Sequence, residues 1–281
     1  MKILDGKAVS KRIKAELAEE VAKLKENGIK PGLAVIIVGD DPASRVYVNN
    51  KKKACEETGI YSEEYALPAE TPQSELLELI DTLNATDTIS GILVQLPLPK
   101  HFDEKLVLNR ISPEKDVDAF HPVNVGKIMI GDFDFLPCTP AGVMELIAES
   151  GVEVAGKNCV VVGRSNIVGK PQAMLLLHKN GTVTICHSKT RDLKAKCLEA
   201  DILVAAVGVE SLITADMVKE GAVVIDVGMN RNSEGKLCGD VDFEGVSKVA
   251  GAITPVPGGV GPMTIAMLMK NTVKAAVLQN K

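Results

Sequence analysis

The chain has 281 residues, 46% hydrophobic and 25% charged, with a net charge of −5. This balance belongs to a folded globular protein. It excludes a disordered tail, a collagen-like fibre and the basic footprint of a nucleic-acid binder. At about 150 residues per domain the length predicts two domains.

The elements alternate between helix and strand. Lys7 to Asn27 carries Val9, Ile13, Leu17, Val21 and Leu24 at helical spacing, and Gly28 stops it. Leu33 to Val38 is a short apolar strand. Asp41-Pro42 then supplies an N-cap and a first-turn proline for a helix to Thr58, ended by Gly59. Tyr61 to Leu67 reads as a strand, Thr71-Pro72 opens a helix to Asn84, and Gly91 to Leu96 is a second buried strand. Buried strands separated by helices predict parallel sheet covered on both faces.

The second half repeats this pattern. Thr139-Pro140 caps a helix reaching Ser150, and Asn158 to Val162 is a strand. A helix over Pro171 to Lys179 follows, then strands at Thr182 to Cys186, Ile202 to Val207 and Val223 to Val227. A further helix is expected at Thr214 to Glu220. The uncharged stretch from Val249 to Met269 is broken by Pro255, Pro257 and Pro262, so it predicts a loop entering a buried helix rather than a membrane span. That last helix, Pro262 to Gln279, is expected to pack on the first domain and make it discontinuous. The fold class is thus α/β with a Rossmann-like unit.

Cys55, Cys138, Cys159, Cys186, Cys197 and Cys238 contain no CxxC pair and read as reduced core thiols of a cytoplasmic protein. No apolar leader follows Met1, so no signal peptide is expected. His101, His121, His178 and His187 lack ligand spacing and are read as structural, without a metal.

Val160 to Pro171 (VVVGRSNIVGKP) gives strand, turn and helix start in the order that a dinucleotide loop requires. Gly163 permits the turn and Gly169 a close approach, while Ser165 stands where the middle glycine of G-x-G-x-x-G is usual. The next strand end, Cys186-His-Ser188-Lys189-Thr-Arg191, has no acid before Asp192 to hold a ribose 2′-hydroxyl. Hydroxyls and cations there, with Arg164 and Ser165, favour a 2′-phosphate and hence NADP. Lys189 and Arg191 taken singly are solvated loop charges.

Six segments read together carry a resemblance. They are Tyr47–Lys51 (YVNNK), Val94–Pro99 (VQLPLP), Lys115–Asp118 (KDVD), Pro137–Pro140 (PCTP), the Gly163 loop and Thr254–Thr264 (TPVPGGVGPMT). In this order, across essentially the whole chain, they resemble the bifunctional methylenetetrahydrofolate dehydrogenase/methenyltetrahydrofolate cyclohydrolase family. One departure is Ala119, where the family usually has glycine. The resemblance implies a discontinuous folate-binding catalytic domain at 1–138 plus 262–281 and a Rossmann-like NADP-binding domain at 139–261. It implies NADP-dependent oxidation of 5,10-methylenetetrahydrofolate, then hydrolysis of the methenyl compound to 10-formyltetrahydrofolate, in one-carbon metabolism. It also implies a homodimer, with neither nucleic acid nor membrane as partner.

Hydride loss from a carbon between two nitrogens needs chiefly positioning. Hydrolysis needs proton management. Tyr47 and Lys51 share a helix face, and a lysine in an apolar cleft becomes neutral enough to serve as a base. Gln95 can hold the ammonium or the water. Taken alone, Lys51, Lys52 and Lys53 make a solvated face; the resemblance singles out Lys51. Asp116 and Asp118, two apart, point the same way if the segment is extended. The resemblance selects Asp118 for the pterin, Tyr47 for stacking, and Pro257, Gly258, Gly261 and Pro262 as a close-fitting wall. It assigns Thr139, Gly163, Arg164, Ser165, Val168, Ser188 and Met229 to the cofactor. The alternatives are a monofunctional dehydrogenase, a non-catalytic nucleotide-binding regulator, and a shikimate dehydrogenase-like reductase.

Overall fold

A computed structural model describes residues 1–281, the side chain of Ala43 excepted. In chain order the elements are β1 (Lys2–Ile3), α1 (Gly6–Glu26), β2 (Gly32–Val38), α2 (Pro42–Thr58), β3 (Tyr61–Leu67), α3 (Gln73–Asn84) and β4 (Gly91–Val94). Then come α4 (Glu104–Arg110), α5 (Pro122–Ile130), α6 (Cys138–Ser150), β5 (Asn158–Val162), α7 (Gly169–His178), β6 (Thr182–Cys186), α8 (Leu193–Leu198) and β7 (Ile202–Ala205). The chain ends with β8 (Val223–Asp226), β9 (Asn230–Arg231), β10 (Leu237–Cys238), α9 (Phe243–Val246), β11 (Ala252–Ile253) and α10 (Val260–Gln279).

Two compact units result. The Lys51 unit comprises Lys11–Cys138 and Ile265–Lys281, and the Gly163 unit comprises Met1–Ser10 and Thr139–Thr264. In the Lys51 unit β2 lies between β3 and β4, all parallel. Every residue of β2 is buried, which accounts for the unbroken GLAVIIV run. One face packs on α3 through Leu76, Ile80 and Leu83, joined by Phe102, Val107 and Ile111. Truncating a fully buried member such as Ile36 to Ala is worth about 2–5 kcal/mol of stability.

The Gly163 unit holds a six-stranded sheet in the order β1-β11-β8-β7-β5-β6, with all its pairings parallel. Val160, Leu203, Val224 and Ile253 from four strands meet in one core cluster. The N-terminus departs from the expected boundary. Residues 1–10, expected with residues up to 138, lie in the Gly163 unit, where Lys2 and Ile3 pair with Ala252 and Ile253. The Lys2 and Leu4 N–H groups donate to the Gly251 and Ile253 carbonyls, both at 2.8 Å. A two-residue strand leaves no alternation to read. The second crossing falls after Thr264, inside α10, rather than after residue 261.

The helix expected at Thr214 to Glu220 is only a 3-10 turn at Ala215–Met217. Val218 leaves helical geometry to join Ile213 and Ala222 in the core, and burial outweighs local propensity. The strand expected to reach Leu96 ends at Val94, paired with Ile36; the Gln95 N–H makes the last bond, to the Ile36 carbonyl, and the chain then leaves β2, which runs on to Val38 beside β3. Among the described residues no helix is long and apolar enough to cross a membrane. The uncharged stretch is strand, loop and the start of α10.

Candidate functional site

Helix α2 is built by local signals. The Asp41 carboxylate accepts from the Ser44 N–H at 2.7 Å, Pro42 starts the first turn, and Gly59 closes the helix at φ 73°. The helix places Tyr47 one turn before Lys51. Of the lysines at 51, 52 and 53, only Lys51 is buried, at 8% exposure. Its Nζ donates to Gln95 Oε1 at 2.8 Å, while Gln95 Nε2 donates to the Leu96 carbonyl at 2.7 Å. The amide is thereby fixed with its oxygen toward the amine. Gln95 is itself held at the end of β4 by its own N–H, which donates to Ile36 O at 2.8 Å.

Burial lowers the Lys51 amine from the ordinary lysine range, and the Asp118 carboxylate pulls it back up. Asp118 is raised by burial and lowered by Lys51. The site therefore pushes both members of the pair toward their neutral forms. Burial also raises the Tyr47 phenol, so it stays protonated.

Asp116 and Asp118 do not point the same way, because residues 117–118 turn rather than extend. Asp116 accepts from the Phe120 and His121 N–H groups at 3.2 and 2.8 Å and from Asn124 Nδ2 at 2.8 Å. It fastens the entry to α5, leaving Asp118 to Lys51. Ala119 follows in the left-handed region, φ 57°, fully buried.

Cys138 belongs to the core, as expected, and is also a neighbour of Asp118. It is buried, yet its thiol hydrogen-bonds Asp118 and lies 3.4 Å from the Val117 carbonyl. Burial and Asp118 hold that thiol protonated, well above the usual thiol range. Asn271 of α10 donates to the carbonyls of Val117 and Leu136 at 2.7 and 2.8 Å, joining the two backbones that carry Asp118 and Cys138.

In the Gly163 unit the glycine turn follows β5 and leads into α7. Gly163 has φ 138°, and a Cβ there would stand 2.2 Å from the Ala206 carbonyl oxygen. Only glycine fits this turn. Val168, the cap residue of α7, has no side-chain cap; Ser165 Oγ instead accepts from the Val168 and Gly169 N–H groups at 3.1 and 3.3 Å. Its hydroxyl proton stays free to donate to a ligand. Arg164, Ser165 and Ser188 are exposed, and Met229 is 50% exposed. Thr139 pairs its hydroxyl with that of Thr264 at 2.9 Å instead of capping α6, which begins one residue earlier. A helix N-terminus behind a tight glycine turn, with an exposed arginine, fits a dinucleotide phosphate.

The structure brings Lys51, Gln95 and Asp118 together, with Tyr47 one helical turn from Lys51. It does not put Pro257, Gly258, Gly261 and Pro262 in that unit: all four belong to the Gly163 unit. There the Lys7 N–H donates to Gly258 O at 3.2 Å. His121 and His187 accept backbone N–H bonds through Nδ1, which are structural duties.

One unit with a parallel sheet and a glycine turn at its carboxyl edge, and a second α/β unit holding a buried lysine, define a two-unit dinucleotide-binding enzyme. The chain belongs to the tetrahydrofolate dehydrogenase/cyclohydrolase family: that family's catalytic domain matches residues 4–118 and its NAD(P)-binding domain residues 137–280. The chain is 69% identical over 280 residues to the bifunctional protein FolD of Acetivibrio thermocellus, covering 100% of this chain and 98% of that one. It is similar to the crystal structure of the Campylobacter jejuni bifunctional enzyme FolD, at 55% identity and TM-score 0.96, covering 99% of each chain. The Trypanosoma brucei enzyme, solved with NADP cofactor and inhibitor, is 43% identical with TM-score 0.95, covering 99% of this chain and 98% of that one.

Proposed function

We propose that the chain oxidises 5,10-methylenetetrahydrofolate with NADP and hydrolyses the resulting methenyl cation to 10-formyltetrahydrofolate. The observation that carries the second activity is the buried Lys51 amine, held 2.8 Å from Gln95 Oε1. NADP, when bound, is the hydride acceptor. The N–H groups at the start of α7 and the Arg164 guanidinium would hold its phosphates, with Ser165 and Ser188 donating to them. Thr139, Val168 and Met229 would complete its site.

The folate lies with Tyr47 stacked on its flat ring and Asp118 accepting from the pterin amino group and ring N–H. Pro257, Gly258, Gly261 and Pro262 are assigned to the folate as well, by the resemblance of the TPVPGGVGPMT string. During oxidation the lone pairs of the two folate nitrogens expel the hydride from the carbon between them, so no protein base is needed. During hydrolysis water attacks the methenyl carbon, and the neutral Lys51 amine takes the water's proton. Gln95 orients that amine without adding charge. The Lys51 ammonium then returns its proton to the departing nitrogen, the remaining hydroxyl proton passes to solvent, and the C–N bond breaks to leave the formyl group on the other nitrogen.

In this reading the folate unit is 11–138 plus 265–281 and the cofactor unit is 1–10 plus 139–264. The partner is a second copy of the chain, which sedimentation at several concentrations would reveal as a dimer. Six free cysteines suit a reducing, cytoplasmic compartment. Spectral scans with 5,10-methylenetetrahydrofolate and either NADP or NAD test the reaction. The methenyl chromophore should form faster with NADP and then decay faster than in buffer; no cofactor-dependent chromophore would refute the oxidation.

A further inference from the structure

Two buried carboxylates in the Gly163 unit have no part in the chemistry above. Asp226 ends β8, and Asp240 follows β10; they are 3% and 0% exposed. Asp240 Oδ2 accepts from the Val207 and Gly208 N–H groups at 2.7 and 3.1 Å. Its Oδ1 accepts from the Val209 N–H and from Asn230 Nδ2, both at 2.9 Å. Asp226 Oδ1 accepts from the Gly228 and Asp240 N–H groups at 2.9 Å, and Oδ2 from Val241 at 3.0 Å. The Asp226 N–H in turn donates to Thr254 Oγ1 at 2.8 Å. The close fit bars a side chain at residue 239, where a Cβ would stand 1.8 Å from Asp226 Oδ2.

The placement of this pair gives it a meaning. Ligands of open α/β sheets lie at the carboxyl ends of the strands. Here the strand order runs β6, β5, β7, β8. The glycine turn follows β5, and Ser188 follows β6. A dinucleotide with its phosphates at β5 and its 2′-phosphate end toward β6 extends its other half over β7 and β8. The loops there are the ones the two carboxylates hold: 207–209 after β7 and 228–230 after β8. Neither carboxylate is exposed enough to touch a ligand, so each acts through backbone.

We propose that Asp226 and Asp240 are positioning residues for hydride transfer, fixing the loops at 207–209 and 228–230 on which the nicotinamide half of the cofactor rests. This rests on the NADP-dependent oxidation proposed above. Asp240→Asn keeps the size but sets an amide N–H against two backbone N–H donors. Charge-assisted hydrogen bonds to a buried group of this kind are each worth tenfold or more. The expected result is a KM for NADP raised at least about tenfold with slower hydride transfer, while cyclohydrolase activity assayed without NADP stays within about twofold. A role confined to folding would lower both activities together.

Asn230→Ala, which removes one donor and leaves the carboxylate, is the gentler variant, with an expected loss of about three- to tenfold in hydride transfer alone. Wild-type NADP affinity and hydride transfer in both variants would overturn the proposal. So would a parallel fall of both activities in Asn230→Ala. Wild-type protein that oxidises no methylenetetrahydrofolate would instead refute the underlying activity.

Discussion

In the Lys51 unit the candidate side chains are packed against one another and shifted in ionisation, whereas in the Gly163 unit those expected at the cofactor stand exposed. Lys51, Asp118 and Cys138 shift one another's ionisation, with burial the largest cause for each. Arg164, Ser165 and Ser188 lie open around a turn whose shape is set by Gly163 backbone. The difference suits the tasks proposed for the two sites. A base for water must lose its proton near neutral pH, and an amine does so only when water is kept from its charged form. An anion needs N–H groups and a positive helix end, which the backbone supplies without any buried charge.

That contrast is first broken at Arg164. Arg164→Ala should remove a charge-assisted contact of roughly 1.5–3 kcal/mol, or about 10- to 150-fold in NADP affinity, with NAD affinity changed far less. Calorimetric titration with both cofactors measures this; equal losses would show that the guanidinium does not read the 2′-phosphate.

A smaller, directional effect sharpens the other side. Asp118 holds the Lys51 amine up against the pull of burial. In Asp118→Asn that support is gone, so the amine loses its proton at lower pH. The acid limb of the cyclohydrolase kcat profile should move to lower pH, and the dehydrogenase profile should show no such limb. An unmoved limb would separate Asp118 from the titration of Lys51.

The smallest effect concerns Ala119, held at φ 57°. Replacing it with Gly relieves about 1–2 kcal/mol of left-handed strain and adds about 0.5–1 kcal/mol of unfolded-chain entropy. The urea midpoint should rise slightly, with both activities within about twofold. A lower midpoint would mean that the buried methyl contributes more than the strain removes.

Much of this was readable beforehand, for identifiable reasons. Strands β2 and β5 are buried on both faces, so their apolar runs announce themselves, and Asp41-Pro42 and Gly59 mark the ends of α2 by local geometry alone. The glycine turn at Gly163 and the pairing of Tyr47 with Lys51 are likewise local. What sequence hides is long-range. The two-residue β1 exists only because Ala252 and Ile253 accept it. Asp116 and Asp118 would share one orientation only in an extended segment, and residues 117–118 turn instead. Cys138 lies twenty residues from Asp118, and nothing in its neighbours announces that contact. Asp226 and Asp240 each look like ordinary loop acids until their N–H donors converge.

The most direct test of the central division is Lys51→Met, which keeps the apolar stem and removes the amine. Both rates are measured on one preparation near pH 7, at several buffer concentrations, with spontaneous hydrolysis of methenyltetrahydrofolate subtracted. Hydride transfer should survive within about tenfold, while cyclohydrolase activity falls by roughly 10²–10⁴, the span of a general base, and methenyltetrahydrofolate accumulates. Hydrolysis at the wild-type rate above background, or equal loss of both activities in folded protein, would contradict the assignment of proton transfer to the Lys51 amine.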